Sequence, residues 1–154
     1  MARRQDAADL ARLTRLIDGW AAREQVGNPL LIAVDHDPAE HRWYVRMRGE
    51  DKAVITVWLT LRERTLHAES YFMPAPESDI EACYEYLLRA NAKFYGLAFA
   101  IGLEDAVYLR GQSGLDSLDE DELDRIVGSC WAWSEQHFRP AMAMGYGSKY
   151  QPPS

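Results

Sequence analysis

The densest cluster of groups able to do chemistry is Asp35-His36-Asp37-Pro38-Ala39-Glu40-His41, with two imidazoles and three carboxylates. Those are the ligand types of a divalent-metal centre. The spacing points elsewhere. His36 and His41 stand five apart, not the three or four that stack on one helix face, and no Cys lies nearby. A metal centre needs a converging ligand set, so the segment reads as a polar turn between strands and no metal is expected. Cys83 and Cys130 fall on apolar helical stripes, where a thiol behaves as a small buried hydrophobe rather than as a nucleophile. Ser113 in Gly111-Gln112-Ser113-Gly114 fails the Gly-x-Ser-x-Gly elbow because Leu115 takes the last position. The same stretch lacks the Lys and Ser/Thr of a phosphate loop. The acidic run Asp116 to Asp124 has the donors of a calcium loop, but its place at a helix start has a simpler cause: carboxylates there are stabilised by the helix dipole, each by about 0.3–1 kcal/mol. No catalytic residue and no cofactor are expected from these motifs.

The elements that carry these groups follow from periodicity. Leu10, Leu13, Leu16, Ile17 and Trp20 recur at three and four between Asp6 and Arg23, an amphipathic helix that Gly27-Asn28-Pro29 stops. Leu30 to Val34 reads as a short strand closed by a turn over Asp35 to Pro38. Trp43, Val45 and Met47 then alternate with Arg42, Tyr44, Arg46 and Arg48. Ala53, Ile55, Val57, Leu59 and Leu61 alternate with Thr56, Trp58 and Thr60, and Leu66, Ala68, Ser70 and Phe72 oppose His67, Glu69, Tyr71 and Met73. Period two with short links predicts a three-strand antiparallel meander. After Pro74-Ala75-Pro76, Ser78 and Glu81 form a capping-box pattern ahead of a helix over about Asp79 to Lys93. Its core-facing stripe is expected to be Ile80, Cys83, Tyr84, Leu87, Leu88 and Asn91. Two short strands follow, around Phe99 and Ile101 and around Val107 and Leu109. Past Gly111 to Gly114, Asp119 and Glu122 repeat the capping pattern before a last helix that Pro140 is expected to stop near Phe138. The fold class is therefore α+β, a mostly antiparallel sheet with helices on one face. Residues 1–144 form one domain, and 145–154, rich in Gly, Tyr and Pro, form a loosely held tail.

Composition narrows the classes of function. Seventeen Lys and Arg against twenty-four Asp and Glu leave −7 on 154 residues, which disfavours a nucleic-acid partner. No run approaches the ~18 apolar residues of a membrane span, and the first residues lack a signal peptide's apolar stretch. A cytoplasmic protein with no membrane contact is expected. The charge is also uneven: six acids and one Arg between Leu115 and Arg125 hold −5 of the −7. The remainder is nearly neutral.

What the meander leaves outside its core is more informative than the catalytic motifs. The face opposite the helices should carry Tyr44, Arg46, Thr56 and Trp58, joined by His67, Glu69 and Tyr71 and extended by Tyr108 and Arg110. Aromatics with Arg and few Lys make the composition of a protein-binding patch. The plainer alternative is a half-exposed sheet surface whose aromatics shield cross-strand neighbours. A further alternative is a ligand-binding or enzymatic cleft on the same face with His67 and Glu69, neighbours on one side of a strand, as acid and base.

Several segments together resemble the YbjN-domain family of bacterial proteins, in particular its actinobacterial members. They are Leu87 to Ile101, Asp105 to Gly111, Trp43-Tyr44-Val45-Arg46, the Tyr71 to Pro76 junction, and Asp119-Glu120-Asp121-Glu122-Leu123-Asp124. The resemblance covers roughly Leu30 to Tyr146. It implies a fold like that of type III secretion chaperones, a homodimer, and a role as a sensory-transduction regulator, with no family catalytic residues to transfer. Fold likeness does not by itself assign a secretion role. The expectation is a non-enzymatic protein-binding module, chaperone-like or regulatory, whose candidate contacts are Tyr44, Arg46, Trp58, His67, Glu69, Tyr71, Tyr108 and Arg110.

Overall fold

The computed structural model describes residues 6–153; the short basic start at 1–5 and Ser154 lie outside the described residues. Helix α1 (Ala7–Gly27) begins where the Asp6 side chain accepts the Asp9 backbone N–H at 2.9 Å, satisfying one of the donors that a helix start leaves without a partner. Strands β1 (Leu31–Asp37), β2 (Arg42–Arg48), β3 (Val54–Leu61) and β4 (Thr65–Met73) follow. Helix α2 (Ile80–Asn91), strands β5 (Leu97–Ile101) and β6 (Val107–Gly114), and helix α3 (Glu120–Tyr146) complete the order. All six strands join in one antiparallel sheet, ordered β1-β2-β3-β4-β6-β5. This is the α+β architecture read from the sequence, with the central meander as expected.

One sheet face is consumed by the core. Trp43, Val45, Ile55, Val57 and Leu59 meet Leu13, Ile17 and Trp20 of α1 and Leu123 and Ile126 of α3, all buried. Phe72, Met73, Phe99, Val107 and Leu109 meet Cys83 and Leu87 of α2 and Ala141 of α3. Full burial of each large side chain contributes about 1.5–3 kcal/mol. Three indole N–H groups on the helix side have acceptors: Trp20 donates to Asp124 at 2.7 Å, Trp43 to Asp18 at 2.8 Å, and Trp131 to the Arg48 carbonyl at 2.8 Å.

Five local expectations change. Strand β1 runs on to Asp37, so Asp35 and His36 are strand residues and the turn begins at Pro38; a register shift between Leu31 and Ala33 breaks the alternation that would have shown this. A second shift between Tyr71 and Met73 turns Met73 inward, so Phe72 and Met73 are both fully buried. The Ser78/Glu81 capping box does not form. Asp79 is the cap residue, at a left-handed φ of 43° without a side-chain cap bond, while the N–H groups of Glu77 and Ser78 both donate to the Gly145 carbonyl at 2.8 Å. Strand β6 continues through Gly111 to Gly114. Finally, Pro140 sits inside α3, which ends at Tyr146. The turns beyond the proline are held by tertiary contacts that outweigh the lost helical bond: Ala141 is buried, Gly145 lies against Met73 and Pro76, and the Tyr146 hydroxyl donates to the Ala75 carbonyl at 2.6 Å. Gly145 and Tyr146, the first residues of the expected tail, thus belong to the helix. The Asp119 cap does form, accepting the Glu122 N–H at 2.8 Å.

Candidate protein-binding face

The sheet face away from the helices is built by register. Because side chains alternate along a strand, the pairing Asp35, Tyr44, Trp58, Glu69, Arg110 and Ala98 forms one line across all six strands. A parallel line runs Asp37, Arg42, Thr60, His67 and Gln112. On the other side of the first line, Ala33, Arg46 and Thr56 are opposite one another, as are Tyr71, Tyr108 and Ala100. All eight residues singled out from the sequence therefore share this face.

They form two linked neighbourhoods. In the first, the Tyr44 and Trp58 rings meet edge to face with centroids 5.3 Å apart, and the Arg42 guanidinium lies 5.0 Å from the Trp58 ring centre. Arg42 Nε donates to Thr60 Oγ1 at 2.9 Å, and Arg46 pairs with Asp35 at 3.6 Å. In the second, Arg110 pairs with Glu69 at 3.0 Å and lies 5.4 Å from the centre of the Tyr108 ring, which meets Tyr71 edge to face at 5.6 Å. The Trp58–Glu69 pairing joins the two. These exposed ion pairs contribute little stability, under about 1 kcal/mol each; their effect is to hold long side chains in defined positions. Trp58 and Tyr71 nevertheless remain 41% and 44% exposed. The face also differs in charge from the whole molecule. Arg42, Arg46, Arg48 and Arg110 stand against Asp35, Asp37 and Glu69, a slight positive excess within a chain of net −7.

The candidate acid/base pair is placed less favourably. Burial holds the His67 pKa below its ordinary 6.5, Arg62 and Arg110 push the same way, and Glu69 opposes them. The Glu69 carboxylate is itself taken by Arg110. A groove of about 320 Å³ lies elsewhere, lined by Tyr84, Leu87, Leu88, Phe99, Ile101 and neighbours; one of about 220 Å³ is lined by Trp20, Glu24, Asp124, Trp131 and others. Neither includes His67 or Glu69. The Asp35-to-His41 cluster is divided between the two faces: His36 stacks flat on Trp43 at 4.2 Å on the helix side, opposite in direction to Asp35 and Asp37.

The family model described as "Putative bacterial sensory transduction regulator", YbjN, matches residues 16–141, most of the chain. The chain belongs to the YbjN family. Its relatives include an uncharacterized protein of Mycobacterium tuberculosis strain H37Rv, 31% identical over 107 residues, spanning 70% of this chain and 58% of the relative. Another, from Mycobacterium leprae, is 27% identical over 110 residues, 71% of this chain and 60% of the relative. The chain thus matches about three fifths of the length of these curated relatives. A crystal structure of an uncharacterized protein from Methanothermobacter thermautotrophicus superimposes with a TM-score of 0.55 at 14% identity, covering 86% of this chain and 98% of that one. That likeness concerns the fold alone. Family membership points to a regulatory or binding role, and among the described residues no helix is long and apolar enough to cross a membrane.

Three contributors to this YbjN face lie outside the eight residues read from the sequence; one is Lys52, whose ammonium stands 5.3 Å from the centre of the Tyr71 ring. Asp35 has the residue type of a turn, and only the length of β1 brings it opposite Tyr44. Arg42 was visible on the polar side of its strand, but its contact with Trp58 depends on the β2–β3 register.

Proposed function

We propose that this YbjN-family chain is a non-enzymatic regulatory module, working as a homodimer in the cytoplasm, that binds a polypeptide partner across the open face of the sheet. The observation that carries the reading is Trp58 and Tyr71, large and nearly half exposed, on the face away from the described helices' core contacts and framed by cross-strand Arg pairs. Exposed aromatics clustered with Arg are the residues that dominate binding energy at protein interfaces. The partner would bury apolar side chains against Tyr44, Trp58, Tyr71 and Tyr108. Arg46 and Arg110 would exchange part of their hold on Asp35 and Glu69 for acidic groups of the partner, which favours an acidic or amphipathic segment over a basic one. A chaperone-like action, holding a client segment extended against the sheet, uses the same contacts.

The test is photo-crosslinking from a benzoyl-phenylalanine placed at Thr56, followed by affinity measurement on the captured partner. Trp58→Ser with Tyr71→Ser should weaken that complex at least 100-fold, since hot-spot losses of about 2 kcal/mol each are typical, while the melting temperature stays within a few degrees. A partner captured from Thr56 and bound equally well by the double variant would refute the role of this face.

A further inference from the structure

The helices do not all fill the space beside them as their patterns imply. On α2, Ile80 and Leu88 are exposed, although the sequence places both on its core-facing stripe. Between α1 and α3 the departure is a gap. Trp20, Glu24 and Asn28 recur every four residues along α1 and its cap, and Asp124, Gly128 and Trp131 recur at four and three along α3, so each set shares one side of its helix. The two sides meet across a cavity of about 220 Å³, with the buried Met47 and Val127 in its lining. That is below the roughly 300–1,000 Å³ of pockets that enclose drug-sized ligands. Its size suits a group no larger than one side chain.

Gly128 is the residue that keeps the cavity open. Inside a helix glycine is less favourable than alanine, because it loses more backbone freedom on folding, and Gly128 lies well within Glu120–Tyr146. A Cβ at this position would have nothing within 4 Å. No neighbour forbids a side chain there, so packing does not account for the glycine. Its effect is to leave the mouth of the cavity clear.

The walls are fixed and the mouth is acidic. Trp20 Nε1 donates to Asp124 Oδ1 at 2.7 Å, and Trp131 Nε1 donates to the Arg48 carbonyl at 2.8 Å, so both indoles are held in place. Asn28 Nδ2 donates to Glu24 Oε2 at 2.9 Å. Each carboxylate therefore has one oxygen engaged, which leaves Asp124 Oδ2 and Glu24 Oε1 able to accept. Beside them Arg23 pairs with Glu120 at 2.5 Å. Its pKa is raised above the ordinary arginine value, chiefly by that bond, and the charges of Glu120, Asp124 and Glu24 add to it. One cation among three carboxylates leaves a net −2 at the mouth. Indole walls with unspent carboxylate oxygens suit an organic cation.

We infer that the cavity between α1 and α3 binds a guanidinium group carried on a short alkyl stem. Trp20, Trp131 and Met47 pack on the stem and on the flat face of the cation, while Asp124 and Glu24 accept its N–H groups. A guanidinium is planar and weakly hydrated, stacks on aromatic rings and offers a fork of donors, whereas an ammonium is a compact, strongly hydrated point charge. A site with two separated acceptors between indoles therefore favours the guanidinium. Such a group can come as a free alkylguanidine or as an arginine of a bound polypeptide. The site lies on the helix side of the sheet and does not depend on the open face that bears Trp58 and Tyr71.

Titration of n-butylguanidinium to about 20 mM into the full chain, followed by the Trp20 and Trp131 indole N–H signals in nitrogen–proton spectra, tests the inference. Both signals should shift saturably with a Kd of about 1 mM, a scale open to so small a ligand. n-Butylurea, of the same shape without the charge, should bind at least tenfold more weakly, and n-butylammonium should also be weaker. Glu24→Gln with Asp124→Asn keeps acceptors for Asn28 and Trp20 and should weaken binding at least tenfold while the melting temperature stays within a few degrees. Gly128→Leu should abolish binding without lowering the melting temperature, because it fills open space with a better helix former. Acetyl-arginine amide separates the two sources: affinity equal to that of n-butylguanidinium assigns the site to an arginine of a polypeptide, and affinity tenfold weaker assigns it to a free alkylguanidine. Absence of a saturable shift, equal binding of n-butylurea or n-butylammonium, or wild-type affinity in either variant would overturn the inference. Trp58→Ser with Tyr71→Ser should bind n-butylguanidinium as wild type does, and loss of binding in that variant would overturn the placement of the site.

Discussion

Replacing Asn91 with Ala isolates one device that closes an unprotected sheet edge. The amide makes two bonds to the backbone of a single residue, accepting from Phe99 N–H at 2.7 Å and donating to Phe99 C=O at 3.2 Å, in the place where a seventh strand would pair. Phe99 is only 6% exposed, so water reaches the vacated groups poorly. Losing a bond costs about 0.5–1.5 kcal/mol net, and a buried group left without a partner about 1–3 kcal/mol. Two such groups, partly relieved by water at the strand edge, give about 2–3 kcal/mol, a large part of a domain stability of about 5–15 kcal/mol. At about 2–4 °C per kcal/mol for a chain of this size, the melting temperature should fall by about 4–12 °C. Urea unfolding followed by Trp fluorescence reads the free energy, and amide exchange at Phe99 reads the site. Asn91→Asp sharpens the test. It keeps an acceptor for the N–H but sets a carboxylate oxygen against the Phe99 carbonyl, so it should be no more stable than Ala at pH 7 despite its shape. A loss below 0.5 kcal/mol in Asn91→Ala, with unchanged exchange at Phe99, would refute the reasoning.

Two further outcomes follow from other contacts. Glu135 gathers the β2–β3 turn by accepting the N–H groups of Glu50, Asp51 and Lys52 at 2.8, 3.0 and 3.1 Å; Glu135→Ala should cost about 2–3 kcal/mol in urea unfolding, because hydrogen bonds to a charged group are the stronger kind, and it should raise amide exchange over residues 50–52 first. His137 sits among Tyr86, Phe94, Phe99 and Trp133, with its Nδ1 2.7 Å from the Tyr86 hydroxyl, and burial with help from Lys93 lowers its pKa from 6.5. The unfolded chain then binds this proton more readily, so the stability contributed by the neutral ring is complete above pH 6.5 and is lost as pH falls through the folded value. Melting temperatures from pH 7.5 to 5 should fall more steeply in wild type than in His137→Gln, and parallel curves would exclude His137 as the source.

The parts of the fold legible in the sequence are those where one face of an element is buried and the other is not. Strands β2 and β3 alternate without interruption, and the burial pattern follows the alternation residue by residue. Strand β1 looks shorter in the sequence than it is because its bulge between Leu31 and Ala33 shifts the period by one residue, which hides Asp35 and Asp37 as strand positions. The local cost of Pro140 predicts a helix end, yet the contacts of Ala141, Gly145 and Tyr146 with distant residues decide the helix. The candidate face shows the same division. Its membership could be read from parity alone, whereas the pairs Arg46–Asp35, Arg110–Glu69 and Arg42–Trp58 require the register between strands, which is set across the sheet.

The open sheet face is accessible because of how the helices are used. The apolar sides of α1 and α3 are spent on the face carrying Trp43, Val45, Ile55 and Val57, and no helix must move to expose Trp58 or Tyr71. On the open face, edge-to-face rings and cross-strand Arg pairs already restrict the side chains that would meet a partner. Ordering a flexible side chain on binding costs about 0.5–1.5 kcal/mol, so ordering these in advance leaves more of the aromatic burial as affinity.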